Sequence, residues 1–256
     1  FSHVTDLNLN HMDCRDTAAS FLEHFTGLTS LQMDHNRMVY LPPQLARMPR
    51  LRHLSLAHNL LYLSSADAAV MRSMHRLETL DLNDNLLGPL LDLSGLPYLR
   101  RVYLRRTWIQ QWPEGLISRP LLEAADLREN QLVDIPELVY QTSPTLTRNI
   151  SLSGNPLSPA ARLRLARFVS QGGSSLGINT EDLMSEAAAF EFWTSGITNH
   201  ERVRRERLWA ELKAEPASED FFTVISRLTT TADAQAVRQD LSRRVWEMIE
   251  AASESS

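Results

Sequence analysis

Residues 77–85 read LETLDLNDN: apolar at 77, 80 and 82, polar or charged between, and closed by an asparagine. The same frame, Leu-x-x-Leu-x-Leu-x-x-Asn, catches residues 28–36 (LTSLQMDHN), 51–59 (LRHLSLAHN) and 122–130 (LEAADLREN), with looser copies at 4–12, 99–107 and 147–155. The final positions of the seven copies, 12, 36, 59, 85, 107, 130 and 155, are separated by 24, 23, 26, 22, 23 and 25 residues. The second and third apolar positions of each copy alternate with polar ones. That is strand period, so these two side chains point inward and their neighbours outward.

A single copy cannot bury its apolar side chains, whereas stacked copies form a continuous core. The period lies in the range of leucine-rich repeats. Residues 4–169 are therefore expected to form an α/β solenoid with parallel strands on its concave face. The asparagine is expected to bond backbone groups that the turn leaves open, which makes Met12 and Thr107 the weaker turns. Return segments are varied: 40–48 carries Pro42 and Pro43, and 67–75 can be helical.

Residues 154–159 (GNPLSP) close the array, and 160–169 read as a capping helix through Leu163, Leu165 and Phe168. Residues 170–180 are rich in Gly and Ser, the composition of a flexible linker, although Leu176 and Ile178 can pack. Beyond lies an all-α region, 181–256, with helices expected at 182–193, 200–215, 218–228 and 233–252. Ser218 is placed to cap the third of these. Its apolar face is Phe221, Phe222, Ile225 and Leu228, and that of the fourth is Val237, Leu241, Val245 and Met248.

In such a solenoid the outward strand positions form columns roughly 4.8 Å apart. One column reads Asn8, Gln32, Ser55, Asp81, Tyr103, Asp126, Ser151, and the next Asn10, Asp34, Ala57, Asn83, Arg105, Arg128, Ser153. Arg101, Tyr103, Arg105, Arg106 and Arg128 gather around the fifth and sixth copies, with Trp108 nearby and Asp126 and Glu129 among them. Arg and Tyr anchor protein interfaces, so Arg101, Tyr103, Arg105, Arg106, Asp126 and Arg128 are the candidate substrate-binding residues. The competing reading is a solvated face whose arginines balance their acidic neighbours.

His11, His35 and His58 share one position of three successive copies and invite a metal reading. No cysteine or carboxylate completes a ligand set, and strands about 4.8 Å apart must contract for imidazoles to share an ion. They are read as polar edge residues, and neither metal nor cofactor is expected. Cys14 takes the core position held elsewhere by Met38, Leu61, Leu87, Ile109, Leu132 and Leu157. Cys14 is thus a core residue, despite the Cys-x-Asp spacing it forms with Asp16.

The chain has 256 residues, 43% hydrophobic and 22% charged, as in soluble globular proteins. No run approaches the roughly 18 apolar residues of a membrane span, and the start FSHVTDLNLN lacks a signal-peptide pattern. It opens on Phe1 inside a repeat, with no polar cap, so a fragment of a longer protein is expected. One cysteine excludes a disulfide framework and suggests a reducing compartment. The net charge is −5, with −6 of it in residues 170–256, which disfavours nucleic-acid binding.

Residues 187–252 resemble the start of the catalytic domain of the bacterial novel E3 ligases, the NEL family of IpaH-like effectors. The resemblance rests on Trp193 after an Ala-rich helix, Leu208-Trp209, the Phe221-Phe222 to Leu228 stretch followed by Thr231-Ala232-Asp233, and Arg244-Val245-Trp246. A repeat array directly before such a domain is that family's layout, although the repeats here lack the compact Leu-Pro-rich pattern of its best-known members. The resemblance implies a parent E3 ubiquitin-protein ligase that is secreted into the host cell cytoplasm. It implies a host protein substrate on the repeats and a ubiquitin-loaded conjugating enzyme on the complete NEL domain; from charge and hydropathy, neither nucleic acid nor membrane is expected as partner. It further implies a nucleophilic Cys in a Cys-x-Asp motif C-terminal to Ser256, so the present chain is expected to be inactive. Family repeats also fold back to restrain the catalytic domain, and residues 171–180 would permit that swing. The alternative is a leucine-rich-repeat protein-binding module whose helices are an extended C-terminal cap without enzymatic activity.

Overall fold

The structure is a computed structural model that describes residues 1–216, 218–229, 231, 234 and 236–254. The chain divides into two compact units, Phe1–Pro156 and Leu157–Ser256.

The first unit holds a seven-stranded parallel sheet in sequence order. Its strands are β1 (Asp6–Asn8), β2 (Ser30–Gln32), β3 (His53–Ser55), β4 (Thr79–Asp81), β5 (Arg101–Tyr103), β6 (Ala124–Asp126) and β7 (Ile150–Ser151). Each strand falls on one of the seven copies. The register stacks Leu7, Leu31, Leu54, Leu80, Val102, Ala125 and Ile150 in one row. From Leu31 onward this row is buried, as is the row two residues further along, Met33, Leu56, Leu82, Leu104, Leu127 and Leu152. The outward column expected from Asn8 to Ser151 is likewise in register.

The terminal asparagines are the polar spine of this unit. Asn85, 2% exposed, accepts from the Leu61 N–H at 3.0 Å and donates to the Leu56 and Leu82 carbonyls at 2.9 and 3.0 Å. Asn36, Asn59, Asn130 and Asn155 repeat the arrangement. Each ties a turn to the preceding repeat and satisfies backbone groups that burial would otherwise orphan. Thr107 replaces only one of these bonds, its hydroxyl donating to the Leu104 carbonyl at 2.9 Å.

The residue before each terminal position turns the chain through the left-handed region. His11, His35, His58, Asp84, Arg106 and Glu129 have φ between 54° and 58°, and Gly154 has 76°. His, Asn and Asp tolerate this conformation better than most residues, a physical reason for the histidine ladder beyond an edge position. The two copies that lack the asparagine, ending at Met12 and Thr107, are those with a second left-handed residue just after it, Asp13 at 49° and Trp108 at 60°.

The returns are 3-10 helices at Asp16–His24 and Pro43–Arg47, and short helices α1 (Ser65–Ser73), α2 (Glu137–Gln141) and α3 (Pro144–Thr147). Helix α1 overlaps the segment expected to be helical, 67–75, but starts and ends two residues earlier. Ser64 and Asp67 cap each other's backbone there, while Asp67 also accepts from the Leu41 N–H at 2.8 Å. Buried Arg119 donates to the carbonyls of Gly115, Leu96 and Ser94 at 2.7–3.0 Å, stapling two returns together.

The second unit is all helical: α4 (Pro159–Ser170), α5 (Thr180–Trp193), α6 (Asn199–Lys213), α7 (Ser218–Leu228) and α8 (Arg238–Glu254). Its core joins Leu163 of α4 to Phe190, Trp193, Trp209, Phe222, Ile225, Val245, Trp246 and Ile249. Helix α4, expected to belong with the repeats, thus packs into the helical unit. The compact units divide at 156/157, ahead of the expected linker at 170–180. That linker is pinned: Leu176 is fully buried, and a Cβ on Gly173 would lie 2.5 Å from the Phe168 ring.

Two expectations on these helices are corrected. Helix α8 buries Val245, Trp246 and Ile249, whereas Val237 and Met248 are exposed. Trp246 is large enough to turn the buried stripe toward itself and away from Met248. Ser218 is the first residue of α7, and its hydroxyl donates to the Lys213 carbonyl at 3.0 Å, joining the end of α6. Ala232 and Asp233 lie outside the described residues.

Candidate functional site

The sheet register sets Tyr103 opposite Asp126 and places Arg101 at the start of the same strand as Tyr103. Every arginine proposed for this face has a carboxylate one repeat away or on its own strand end. Arg101 meets Glu123 at 2.8 Å, and Arg105 donates through Nε to Glu129 at 2.8 Å. Arg106 meets Asp84 at 2.8 Å, and Arg128 grips both oxygens of Asp126 at 2.8 and 2.6 Å. Five of the six residues are charged, and all four arginines among them are already paired with carboxylates. Such exposed pairs contribute little stability, and they hold the guanidinium groups in place.

The carboxylates also organise the backbone of that face. In the second outward column Asn10, Asp34 and Asn83 each accept the N–H of the equivalent residue one repeat on, at 2.7–2.9 Å. Ala57 and Arg105 have no acceptor to offer. In the following repeats, the neighbouring aspartates fold back on their own strands: Asp81 accepts from the Asn83 N–H at 2.9 Å and Asp126 from the Arg128 N–H at 3.1 Å. Burial pushes the Asp126 carboxyl up, yet the Arg128 hydrogen bonds outweigh it and leave the carboxyl below its ordinary range. Asp81 has no arginine bound to it among the described residues. Burial, with Asp34 and Asp126 nearby, holds its carboxyl above the ordinary range despite the Asn83 bond and the nearby His58. Asp84 and Glu123 were not singled out from sequence, although their offsets of one repeat from Arg106 and Arg101 were visible once the copies were aligned.

The histidines stack ring on ring, His11 to His35 at 4.3 Å and His35 to His58 at 4.1 Å between centroids. His58 Nε2 lies 3.5 Å from Asp84, which also holds Arg106. Face-to-face stacking is the geometry of neighbouring turns and does not converge nitrogens on a point. Among the described residues no group of three or more His, Cys, Asp or Glu could hold a metal ion. Cys14 is buried, and burial, aided by Asp13, raises its thiol pKa. A thiol held protonated is a poor nucleophile.

In the helical unit the candidate features are three tryptophans at the centre of the core. Trp193 donates to the Ile225 carbonyl at 3.2 Å and Trp246 to the Trp193 carbonyl at 2.8 Å. Trp209 sits 4.8 Å from Phe222 and 5.4 Å from Phe190. Buried Glu186 is flanked by Arg162 at 3.2 Å and Lys213 at 3.1 Å, which ties α4, α5 and α6. The residues that carried the NEL resemblance are thus mainly those that build this core.

Fold and site together define a leucine-rich-repeat protein with a helical unit beyond the repeats. Residues 193–256 match the family described as "NEL: C-terminal novel E3 ligase, LRR-interacting". The chain is therefore a leucine-rich-repeat array followed by a helical unit, part of which is similar to the NEL family. Among curated relatives it is 35% identical over 113 residues to podocan-like protein 1 of Mus musculus, covering 41% of this chain and 19% of that protein. It is 37% identical over 89 residues to trophoblast glycoprotein of Macaca fascicularis, covering 32% of this chain and 21% of that protein. The chain spans about a fifth of the length of these relatives. Solved structures similar to it include a leucine-rich-repeat protein of Leptospira interrogans, with 21% identity, TM-score 0.49, and 59% of this chain and 37% of that one covered. An internalin of Listeria monocytogenes has 20% identity, TM-score 0.45, and coverage of 57% and 41%. No described helix is long and apolar enough to cross a membrane.

Proposed function

We propose that this chain is the substrate-recognition array and the first part of the catalytic domain of a bacterial E3 ubiquitin-protein ligase. The observation that carries the reading is the NEL match over residues 193–256, in the helical unit that follows a repeat array. In this reading a cysteine takes ubiquitin from a conjugating enzyme as a thioester and passes it to a lysine of the bound protein. Cys14 is the sole cysteine of these 256 residues, and its burial and raised pKa argue against that role. The nucleophile then belongs to sequence beyond residue 256, and the 256 residues alone form no thioester. The ligase would act in the cytoplasm of a host cell into which the bacterium secretes it.

The assay is a reaction of ubiquitin, activating enzyme and conjugating enzymes with the longer protein, run beside residues 1–256. A thiol-sensitive ubiquitin adduct on the longer protein alone is expected. No adduct on either, across several conjugating enzymes, would leave a repeat module for protein binding.

In the same reading the substrate binds Arg101, Tyr103, Arg105, Arg106, Asp126 and Arg128. Support comes from their alignment in one charged face with pre-set guanidinium groups, which are favoured interface anchors. The double change Arg105→Glu and Arg128→Glu should weaken substrate binding by about a hundredfold or more, measured by titration calorimetry. Unchanged affinity would remove this face from the proposal.

A further inference from the structure

Beyond the sheet face, the first unit carries a cleft of about 770 Å³ on the segments that follow the turns at Asn85 and Thr107. A parallel bridge between Asp92 and Glu114 joins those two segments, with the Leu93 N–H donating to the Glu114 carbonyl at 2.9 Å. Four large apolar side chains line the cleft and remain in water: Tyr62 (56% exposed), Leu86 (49%), Leu90 (45%) and Trp108 (60%). Apolar side chains grouped in this way, unlike scattered ones, mark interaction sites.

Two backbone features create the cleft. Gly88, at φ 70°, lets the Tyr62 ring lie where a Cβ would come within 2.9 Å of it. Trp108 is left-handed, φ 60°, in one of the two copies whose turn lacks asparagine. A bulky residue in that region is strained, and here it is also the most exposed of the four apolar side chains.

The charge at the cleft selects among occupants. Glu114 is exposed and has no ion-pair partner among the described residues. Ser94 donates to Asp92 at 2.8 Å, and its hydrogen bonds hold that carboxyl below the ordinary range, so Asp92 is ionised at neutral pH. Arg72, the one cation in the lining, donates through Nε to the Ala68 carbonyl. Arg72 and Arg119 both help to hold Asp92 ionised, which leaves Glu114 as the unpaired carboxylate beside the aromatic faces, surroundings that attract a cation. The Trp112 N–H in the cleft wall is a buried donor without a partner.

We propose that this cleft docks an extended segment of a protein partner that carries an apolar side chain next to a lysine or arginine. The apolar group lies against Trp108, Tyr62 and Leu86, and the cation faces Glu114 and Asp92. This site is separate from the charged sheet face, and it does not depend on the ligase reading.

The test is selection of a random dodecapeptide phage library on the 256-residue protein, followed by fluorescence titration of the best synthetic peptide. Selected peptides should share an apolar residue within two or three positions of Lys or Arg. Trp108→Ala should weaken the peptide by about tenfold or more, Glu114→Gln by about threefold, and Tyr98→Ala, exposed but outside the cleft, should leave affinity unchanged. Circular dichroism of each variant checks that it is folded. Peptides without the cation, affinity that survives Trp108→Ala in a folded protein, or no enrichment at all would each overturn the proposal.

Discussion

Asn85 shows how much one side chain does in this fold. Its amide holds three buried backbone groups in two repeats and also reaches the Asn83 carbonyl at 3.3 Å. Removing it orphans a donor and two acceptors, each costing on the order of 1–3 kcal/mol when unsatisfied. Asn85→Ala should lower unfolding stability by about 2–4 kcal/mol, read from urea denaturation; a loss under half of that would mean water takes over the role. Asp81 is the opposite case, a carboxylate at odds with its surroundings. Its folded pKa lies above the unfolded value because of burial, so the folded state binds the proton more readily. Stability therefore falls as pH rises from the unfolded value through the folded one, and the penalty is complete above it. Asp81→Asn keeps the acceptor for the Asn83 N–H and removes the charge. It should melt higher than the parent at pH 7, with the difference vanishing as pH falls below the unfolded carboxylate value. A lower melting temperature at pH 7 would show that the attraction of His58 outweighs the burial of the charge. These residue-scale features were half legible. The asparagine frame announced the spine, but the raised Asp81 depends on its burial and on Asp34 and Asp126, each two repeats away along the chain.

At the scale of elements, helix α8 separates what periodicity conveys from what packing decides. Helical spacing in the sequence marked Val237, Leu241, Val245 and Met248, an i, i+4 stripe with an equal claim from Val245, Trp246 and Ile249. The structure buries the second set because Trp246 can reach the Trp193 carbonyl and the rings of Trp209 and Phe190. A side chain that large dominates the orientation of a surface helix. Trp246→Ala should cost about 3–5 kcal/mol, while Met248→Ala should stay within about 0.5 kcal/mol. Equal effects in chemical denaturation would restore the stripe read from spacing. The segment 170–180 makes the same point in a loop. Its Gly and Ser content reads as a flexible linker, yet Leu176 is buried and Gly173 is a close-packing glycine under Phe168. Composition cannot tell a glycine that frees the chain from one that lets another group approach.

At the scale of the whole molecule, the division at 156/157 makes residues 157–256 a unit with its own aromatic core. Expressed alone, these residues should keep a near-ultraviolet circular dichroism signal from their tryptophans and unfold cooperatively; a featureless spectrum would mean the core needs the repeats. The seven strands and the inward rows were determined by the sequence itself, because each copy carries the same short-range instruction and stacking merely repeats it. The spine of asparagines and the identity of the helical segments were determined in the same local way. The tertiary structure alone decided which carboxylate neutralises which arginine on the sheet face. It also decided that helix α4 packs into the helical unit, and that Tyr62 and Trp108 share a cleft. Apart from the Arg128–Asp126 pair, those outcomes depend on contacts between residues about a repeat or more apart, where side-chain size, burial and charge compete, and a pattern read along the chain does not encode that competition.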